Sequence, residues 1–579
     1  MDYRNLGAAA FYDADGIAAQ IHNGDTVALG GLWFIRLPLA LIGALVRRGV
    51  KDLTIITQAS GYALEQLICA GLVKKVIYSF ISLDLLGLAP AFRSACQNGK
   101  IEYEEWTALQ MNTALEAARL GLPYGVLQPP EGSSFDRETS SYRHADCPFT
   151  GRKIGLVRAL CPDVALIHAQ QADREGNVAV FGTMGLDKLY IGASKKAFVS
   201  VEELVEPHNF LQDSRAHIFP HFLISGLCVH SGGAYPASCL PYYATDYERL
   251  LEALPGEPFQ NPLKVRLARL REYAGMTNNR LRKAIAPCAR TPDPEGYTPD
   301  ELMACLMSRQ IQDHMVTTVG SNTPLAMVAY LLAKGTRAPH CTLIPFCGLV
   351  DLPYGPASLS FAEPVAYHAA AAHWAIEDLW QWIYQKSLTA VEFGGCAQLD
   401  ANGNINNSQI RDTQGALKVL LPGQAGLADI LNLHHNAYYY ITKHEPRRIG
   451  EAVSYPGGRF CYVTAEEREK QGLPDGCMRV ITDLCVLELE QQSRRLWVTQ
   501  IHPGVTREQI RRNTGFDVMF SPDVQETQPP TADELYKIRH EIDPFGYRRL
   551  EFTGGEERMN LIREILEKEA ELIEVKDKG

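Results

Sequence analysis

The sequence predicts an α/β protein made of two tandem, related halves, each a mainly parallel sheet flanked by helices. The chain has 579 residues, which is too long for one ordinary hydrophobic core. A strand–helix–strand pattern occurs twice along it, and so does an unusual turn sequence. Because parallel strands need helical crossovers, each copy of the pattern indicates the same layered unit.

The repeated unit begins at Ile21 in the first half and at Ser308 in the second. Each copy has a short β-branched run, a glycine-containing loop and then a proline that opens an apolar helix. The helices read PLALIGALVRRG and PLAMVAYLLAKG, with apolar residues at i, i+3 and i+4 spacing and a glycine after the last turn. A second strand follows, LTIIT or TLIPF, so each half is predicted to contain a β-α-β unit.

The repeated turn reads Gln-x-Asp-x-x-Gly-Asn, at residues 171–177 and again at residues 398–404. Each copy follows a predicted strand. The aspartate of such a turn accepts hydrogen bonds from backbone amides, and glycine and asparagine tolerate a positive φ. The turn is either a connection kept for its geometry or part of the wall of a cleft between the halves.

Composition excludes several classes of protein. The net charge of −11 argues against a nucleic-acid or anionic-membrane partner. The fourteen cysteines lack metal-site or disulfide spacing, which is typical of a reducing compartment. The start of the chain has no secretory pattern, and the apolar stretch LPLALIGALV is too short to span a bilayer. We therefore expect a cytoplasmic protein.

Four segments connect or extend the halves. Residues 285–300 are rich in proline and predict the seam, which gives domains 1–290 and 291–579. Residues 245–285 have a charged, helical pattern and predict an appendage on the first half. Residues 131–151 are polar without periodicity, which predicts a long surface loop that could act as a lid. Residues 556–575 predict an amphipathic helix that docks on the body or on a partner.

Ordered stretches along the chain resemble the class I coenzyme A transferases, specifically the glutaconate branch, with α-like and β-like subunits fused. In the first half these stretches include GDTVALGGLWFIRLPLALIGAL, HAQQADREGNV and SGGAYPASCLPYYATD. In the second half they include VGSNTPLAMVAYLLA, FGGCAQLDANGNINNS and RRNTGFDVMFSPDVQETQPPTADELYKIRHEIDP. The resemblance spans nearly the whole chain in the expected order, and it implies two tandem CoA-transferase-type domains.

The resemblance implies chemistry on an acyl-CoA thioester in a cleft between the halves, with coenzyme A as part of the substrate and no separate cofactor. In these transferases a glutamate attacks the thioester, and a glutamyl-CoA thioester then passes CoA to a second acid. Backbone amides of glycine-rich loops can stabilise the oxyanion. The candidates here are Gly30, Gly31, Gly394 and Gly395, each of which is also explained by a tight turn.

One departure from the family pattern concerns the reacting glutamate itself. Aligning Ala338-Pro339 with the family's Ala-Pro, and Gly348 with its glycine, places Phe346 where the glutamate belongs. Phenylalanine cannot be acylated, so the double-exchange mechanism lacks its nucleophile. The sequence therefore leaves both CoA transfer and acyl-CoA hydrolysis open.

Other groups in the second half are candidate replacements. Cys347 adjoins Phe346, although a cysteine after an apolar strand is also explained by buried packing. Asp351, Glu363 and Glu392 are the nearby carboxylates. Glu392 directly precedes the FGG loop, where an exposed strand end would explain it equally well.

A base in the first half is the third possibility, within the stretch IEYEEW at residues 101–106. A strand there places Glu102 and Glu104 on one face and Glu105 beside Trp106 on the other. The aromatic neighbour can desolvate a carboxylate and raise its pKa toward neutrality. The stretch resembles the base position in two-subunit steroid-degrading enzymes that hydrolyse a carbon–carbon bond of a cyclic β-diketone CoA ester. Glu105 is the candidate base and Glu104 the next, while a solvated strand edge remains the alternative.

The remaining pocket candidates come from weaker signals. The stretch SGGAYPASC resembles the family's Gly-Ala-x-Pro turn, which implies that Gly233 and Ala234 border the acyl pocket. Arg36 is a candidate partner for a CoA phosphate or a substrate carboxylate, or a member of a surface ion pair. Tyr242, Tyr243, Asp246, Phe346 and Gln398 complete the predicted pocket. His434 and His435 are adjacent, which is poor spacing for a metal, so no metal is assigned.

Three classes of function compete. The leading one is an enzyme that binds an acyl-CoA and acts at its acyl end, by CoA transfer or by hydrolysis of a carbon–carbon or thioester bond. The second is a non-catalytic acyl-CoA-binding protein, and the third is a sugar-phosphate isomerase on a related scaffold. The ordered resemblance across both subunits disfavours the third. We expect an acyl-CoA and further copies of the chain as partners, and neither nucleic acid nor membrane.

Overall fold

A computed structural model describes residues 9–206, 216–252, 296–360 and 364–574. Two large sheets dominate these residues, one in each half, and both are mainly parallel. The first sheet has the parallel strand order Ala10–Phe11, Gly226–Val229, Lys196–Val205, Val164–Asp173, Thr26–Leu29, Leu53–Thr57, Val73–Tyr78 and Glu102–Glu105. Val178–Phe181 and Ala216–Phe219 extend it as antiparallel strands.

The second sheet begins with five parallel strands and ends in a mixed ribbon. Its order is Thr342–Pro345, Val316–Val319, Val391–Gly395, Asn436–Ile441, Met478–Thr482, Cys485–Leu489, Leu496–Ile501 and Met519–Glu526. Two small sheets have two strands each: Leu349–Val350 with Ala372–His373, and Gln409–Arg411 with Leu417–Leu420. Two others have three strands each. In one, Gln398–Asp400 lies between Ile405–Asn406 and Ile449–Gly450, and in the other, Lys153–Arg158 lies between Tyr124–Leu127 and Tyr142–Asp146.

Helices cover the sheets and connect successive strands. They span Ala14–Ala18, Leu39–Arg48, Gly61–Cys69, Pro90–Gln97, Ala108–Arg119, Asp187–Ala193, Tyr247–Glu252, Pro299–Ser308, Pro324–Gly335, Pro364–Ala369, Ile376–Asp378, Leu427–Leu433, Ala465–Lys470, Arg507–Asn513, Ala532–Tyr536 and Gly555–Glu574. Leu379–Tyr384 and Lys537–Ile542 continue two of them as π-helical turns, and Asp84–Leu86, Ser134–Asp136, His221–Leu223 and Tyr547–Glu551 are short 3₁₀ turns. No helix in these described ranges is long and apolar enough to cross a membrane.

The predicted fold class and the repeated β-α-β unit are confirmed. In the first half Thr26–Leu29 pairs in parallel with Leu53–Thr57 across the helix Leu39–Arg48. In the second half Val316–Val319 pairs in parallel with Thr342–Pro345 across the helix Pro324–Gly335. The first helix ends at Gly49, whose φ of +70° is the left-handed conformation that glycine adopts readily.

The two copies of the turn have the same hydrogen bonds. Asp173 Oδ1 accepts from the amides of Glu175 and Asn177, at 3.0 and 2.9 Å. Asp400 Oδ1 accepts from the amides of Asn402 and Asn404, both at 3.0 Å. In each copy the second carboxylate oxygen holds the asparagine side chain, at 2.8 and 2.9 Å. This geometry accounts for the conserved residue types within the repeat without a ligand.

The expectation of a surface loop at residues 131–151 is wrong in part. Tyr142–Asp146 forms a strand, antiparallel to Lys153–Arg158, and its polar residues are tolerated because it lies at a sheet edge. The part before it is fixed to the second half, since the amide of Ser134 donates to the carbonyl of Pro456 at 2.7 Å. The predicted appendage at residues 245–285 lies outside the described residues beyond Tyr247–Glu252, and so does most of the predicted seam.

The halves meet through buried polar contacts as well as apolar packing. Asp429, at the start of the helix Leu427–Leu433, accepts from Thr107 Oγ1 at 3.0 Å and from the amide of Leu109 at 3.3 Å. The Asp429 side chain is buried, and burial raises its pKa to about 8. The aspartate therefore holds a proton at neutral pH across the interface between the halves.

Replacing Asp429 with asparagine is expected to stabilise the protein by an amount that is small near pH 4 and grows as pH rises to about 8. The native state keeps this proton up to about pH 8, whereas an unfolded aspartate loses it near pH 4, so stability falls as pH rises through that window. At about 1.4 kcal/mol per pKa unit, the difference should be on the order of a few kcal/mol. Urea unfolding at pH 6 and pH 9 measures it. Asp15→Asn, at an exposed ion pair, is the control, and equal pH profiles for Asp429→Asn and the parent would contradict the prediction.

Candidate active site

A cavity of about 450 Å³ lies between the two halves, at the carboxyl ends of the parallel strands. From the first half it is lined by Trp33, Gln58, Ala59, Phe80, Ser82, Asp84, Gly87, Leu88 and Ala108. From the second half it is lined chiefly by residues 320–323, 392–397, 422–427 and 440–442, and by Phe346, Trp380, Arg448, Glu551 and Arg558. A ligand here would contact both halves, as expected for the cleft.

One wall of the cavity is aromatic. Phe346 is 8% exposed and lies between two tryptophans, with its ring centroid 5.5 Å from that of Trp33 and 5.9 Å from that of Trp380. Gly426 approaches Trp380 so closely that an added Cβ would overlap the indole, which explains a glycine there. Phe346 thus lines the cavity, and its side chain offers no nucleophile at that point.

Glu392 is a carboxylate in the cavity wall and the second residue of the buried strand Val391–Gly395. Its Oε2 accepts from Thr318 Oγ1 at 2.6 Å and from the Tyr384 hydroxyl at 3.0 Å. Its Oε1 lies beside Gly320, where an added Cβ would come within 3.3 Å of it. Burial raises the pKa of Glu392, against these two hydrogen bonds. One oxygen is thus anchored, and the glycine keeps space in front of the other.

Two further carboxyl groups line the cavity beside an arginine. Burial raises the pKa of Asp84 to about 6, while a hydrogen bond from Ser360 Oγ at 2.5 Å opposes the shift. Burial likewise raises the pKa of Glu551 to about 7, against a hydrogen bond from Tyr440 at 2.7 Å. Arg558, on the C-terminal helix, lowers both pKa values electrostatically. The cavity therefore holds acid–base groups that titrate near neutrality.

Some buried polar atoms in the cavity wall have no hydrogen-bond partner among the described residues. Gln58 is 3% exposed, and within the described structure neither atom of its amide is bonded. The same holds for Trp380 Nε1 and for Asn322 Oδ1. Buried polar groups are normally satisfied, so these three side chains mark positions where a substrate would supply donors and acceptors.

Glu105 lies close to the cavity but is not among the residues that line it. Its Oε1 accepts from Ser408 Oγ at 2.8 Å and from the amide of Gln424 at 2.7 Å, both in the second half. Burial raises the pKa of Glu105 to about 7, against hydrogen bonds from the Gln424 amide, Ser408 and the Tyr78 hydroxyl. Gln424 itself lines the cavity, so one loop separates Glu105 from it.

Glu104 and Cys347 do not fit the predicted catalytic roles. Glu104 points to the other face of its strand, where it forms an ion pair with Lys75 at 2.8 Å and accepts from Trp106 Nε1 at 2.9 Å. Cys347 is fully buried, and burial raises the pKa of its thiol to about 12. A thiol that stays protonated is a poor nucleophile, so packing explains this cysteine.

Of the other carboxylate candidates, those that the structure describes lie away from the cavity. Asp351 is half-exposed and pairs with Lys334 Nζ at 2.6 Å. Glu363 lies outside the described residues. Glu102 is exposed at the strand edge. Glu392 is therefore the carboxylate of the predicted set that the structure brings into the cavity wall.

The two glycine loops differ. The amides of Gly30 and Gly31 already donate, to the Leu166 carbonyl and to Asp187 Oδ1, both at 2.9 Å, so neither is available to an oxyanion. Gly394 and Gly395 line the cavity at the end of the strand Val391–Gly395. An added Cβ at Gly394 would meet the Tyr439 ring at 2.7 Å, so this glycine is also required by packing.

Arg36 is buried and does not reach the cavity, which corrects both predicted roles. Its guanidinium pairs with Asp187 at 2.6 Å and donates to the carbonyls of His168 and Thr183, at 2.8 and 2.7 Å. Both charged side chains are at most 1% exposed. A ligand cannot compete for a guanidinium held on three sides, so Arg36 supports the first glycine loop from within.

The remaining predicted pocket residues lie away from the cavity, in the body of each half. An added Cβ at Gly233 would meet His168, whose ring nitrogens both have partners, Ser200 Oγ and Glu202 Oε1, each at 2.9 Å. Ala234, Tyr243 and Asp246 are buried in the same region. The Tyr242 hydroxyl accepts a hydrogen bond from the Gln171 side chain at 2.9 Å, and the Gln398 side chain accepts one from Asn406 at 2.8 Å. His434 is also buried, and burial is the main cause that lowers its pKa to about 3. Local packing accounts for these side chains.

Sequence reasoning missed Gln58, Asp84, Glu551 and Arg558. Gln58 directly follows the strand Leu53–Thr57, and that position at a strand's carboxyl end was an available signal. Glu551 and Arg558 come from the C-terminal turns and helix. No local pattern indicates that these two enter the cavity.

Comparison with known proteins agrees with this architecture. Residues 13–226 and 301–513 match the coenzyme A transferase family. Subunits A and B of 3-oxoadipate CoA-transferase from Pseudomonas knackmussii are each 32% identical to this chain, over 39% and 42% of it and 80% and 92% of the subunits. The cholesterol ring-cleaving hydrolase IpdA subunit of Rhodococcus jostii is 32% identical over 38% of this chain and 78% of that subunit.

A solved structure shares the fold over both halves. The acyl-CoA transferase YdiF apoenzyme from Escherichia coli O157:H7 aligns with 90% of this chain and 96% of its own, with a TM-score of 0.66 and 17% identity. Its likeness is one of fold. The family match covers most of both halves in order, and the chain therefore belongs to the coenzyme A transferase family of enzymes, with both subunit types in one polypeptide.

Proposed function

We propose that this enzyme binds an acyl-CoA with its acyl end in the cavity between the halves and cleaves it with water. The observation that carries the proposal is Phe346, an aromatic ring wedged between Trp33 and Trp380 where the family pattern has its nucleophilic glutamate. The cavity instead presents carboxyl groups with raised pKa values, which suit proton transfer near neutral pH. Hydrolysis of a thioester or of a carbon–carbon bond then needs a base to activate water.

Glu392 is the base that the geometry favours. It lines the cavity, two donors fix its Oε2, and Gly320 leaves space before its Oε1. Glu105 is the alternative, supported by a pKa that burial raises to about 7, but it lies behind the loop that contains Gln424. Position in the cavity wall supports Glu392 over Glu105, since a base must reach the proton it removes.

CoA transfer is the second candidate function, and the same residue supports it. A carboxylate with one anchored oxygen and one open oxygen can also attack a thioester, which would make Glu392 a replacement nucleophile. The two functions differ in their intermediate: transfer requires CoA on a protein carboxylate, whereas water-dependent cleavage by a base does not.

Phe346→Glu is expected to create the missing nucleophile. When incubated with an acyl-CoA, this variant should gain the mass of a CoA thioester on the peptide that contains residue 346. The parent and Phe346→Gln, which has similar length but no nucleophile, should release free acid or a ring-opened product without an adduct. Intact-protein and peptide mass spectrometry over a panel of acyl-CoAs, with and without acetate, measures this. An adduct on the Glu392 peptide of the parent would overturn hydrolysis in favour of transfer.

We also propose a homo-oligomer in the cytoplasm, with no cofactor besides the CoA of the substrate. Leu120, Leu122, Tyr124 and Val126 are exposed apolar side chains at an edge strand of the first half, which supports a contact between copies. Light scattering of the parent and of Val126→Lys tests this contact between copies, and a monomeric parent would refute it.

The thirteen cysteines in the described residues are free thiols, which supports a reducing compartment.

A further inference from the structure

Asp313, His314 and His340 form a cluster on the surface of the second half. Asp313 and His314 precede the strand Val316–Val319, and His340 precedes the strand Thr342–Pro345. Asp313 Oδ2 lies 2.8 Å from His340 Nδ1 and 3.7 Å from His314 Nε2. The two imidazole rings are stacked, with centroids 5.2 Å apart and planes 8° apart. Three potential metal ligands thus lie within 4.8 Å of one another.

The first half contains the same pair of turns without these ligands. Asn23 Oδ1 accepts from the amide of Lys51 at 2.8 Å, just as Asp313 Oδ1 accepts from the amide of His340 at 2.7 Å. Each pair ties the turn before one parallel strand to the turn before the next. Asparagine, glycine and lysine therefore meet the structural need in one half, whereas aspartate and two histidines occupy these positions in the other.

The backbone of His314 strengthens this contrast. Its φ is +64°, in the left-handed region, where its counterpart in the first half is Gly24 with a φ of +84°. A side chain in this conformation costs conformational free energy that glycine avoids. The fold alone would therefore favour glycine at position 314, and a histidine there is explained by what its imidazole can bind.

We propose that Asp313, His314 and His340 bind a borderline divalent cation such as Zn²⁺. Imidazole nitrogens and a carboxylate oxygen are typical Zn²⁺ ligands, and the spacings of 2.8 and 3.7 Å bracket the separation of about 3.3 Å between ligands in a tetrahedral site. The cation replaces the hydrogen that lies between His340 Nδ1 and Asp313 Oδ2; the imidazole then carries its hydrogen on Nε2, and water completes the coordination.

The proposed cation site lies at the opposite ends of the strands from the substrate cavity, which indicates a structural role for the metal. The three residues lie at the amino ends of parallel strands, whereas the substrate cavity lies at the carboxyl ends, at Phe346 and residues 320–323. A cation here adds a link between two turns that hydrogen bonds of Asp313 to His340 and the strand ladder already join. It stabilises the second half and is not needed for turnover.

The test is calorimetric titration of ZnCl₂ into chelator-treated full-length protein, with thermal unfolding measured with and without Zn²⁺. The parent should bind one Zn²⁺ at this site and unfold at a higher temperature in its presence. His314→Gly removes a ligand while supplying the residue that the first half uses, and His340→Ala removes a second ligand. Each should weaken binding by at least about 10-fold and lose the thermal shift.

Two features make the outcome decisive. Without Zn²⁺, His314→Gly should be at least as stable as the parent, so lost binding cannot be attributed to misfolding. His22→Ala, at an exposed histidine in the matching turn of the first half, should keep the full Zn²⁺ response. The proposal is overturned if Zn²⁺ binding and its thermal shift persist in His314→Gly and His340→Ala, as they would for binding by cysteines, or if the parent shows neither.

Discussion

Replacing Glu392 with glutamine is expected to lower turnover of an acyl-CoA by about 100- to 10,000-fold, the range for removal of a general base. Glutamine has the same shape and still accepts from Thr318 and Tyr384, so the fold should persist. The Glu392→Gln variant loses the carboxylate oxygen Oε1, which could otherwise take a proton or attack a thioester. Initial rates with saturating substrate, followed as free CoA or product, measure the loss.

The pH profile and a paired variant make this prediction specific. Burial raises the pKa of Glu392, and the carboxylate form is the active one, so the parent's rate should rise with pH through a pKa above the ordinary range for glutamate. That limb should be absent from the residual rate of Glu392→Gln. Glu105→Gln is the matched comparison and should lose less activity. If Glu105→Gln were inactive and Glu392→Gln nearly normal, the base would instead be Glu105.

Replacing Arg36 with methionine is expected to destabilise the protein by about 3–5 kcal/mol, because it leaves a buried carboxylate without its cation. Asp187 is fully buried, and its remaining donor is the amide of Gly31 at 2.9 Å. Methionine preserves most of the volume of the arginine stem, so the effect should come from the unpaired charge and from the unsatisfied carbonyls. Urea unfolding at pH 7 gives the free energy of unfolding.

Two further variants test this explanation. Adding Asp187→Asn to Arg36→Met removes the unpaired negative charge of the Asp187 carboxylate and keeps an oxygen that accepts from the Gly31 amide. The double variant should therefore recover part of the lost stability. Arg47→Met breaks the exposed pair with Asp15 and should cost less than about 1 kcal/mol. A small effect of Arg36→Met, similar to that of Arg47→Met, would show that the buried pair contributes little.

Local pattern in the sequence was sufficient for the fold. The strand–helix–strand units at the start of each half follow from alternating signals that neighbouring residues carry: β-branched runs, a proline at the first helical turn and a glycine after the last. The repeated Asp turns follow in the same way, since Asp173 and Asp400 bond amides only two and four residues away. The prediction that Phe346 occupies the position of the family's glutamate likewise comes from the sequence alone, through the alignment of Ala338-Pro339 and Gly348 with the family pattern.

The composition of the site depended on contacts between distant parts of the chain. Glu392 gains its anchors from Thr318 and Tyr384, and the sequence gives no sign that Arg558 on the last helix enters the same cavity as Gln58. Burial also explains why two predicted site residues do not have their predicted roles. Arg36 is buried in an ion pair with Asp187 and cannot bind a ligand, and the buried Cys347 thiol has a raised pKa and stays protonated. Which side chains face a cleft is set by the packing of one half on the other. The sequence by itself therefore determined the fold and predicted a missing nucleophile, and the tertiary structure alone decided which carboxyl groups line the cavity.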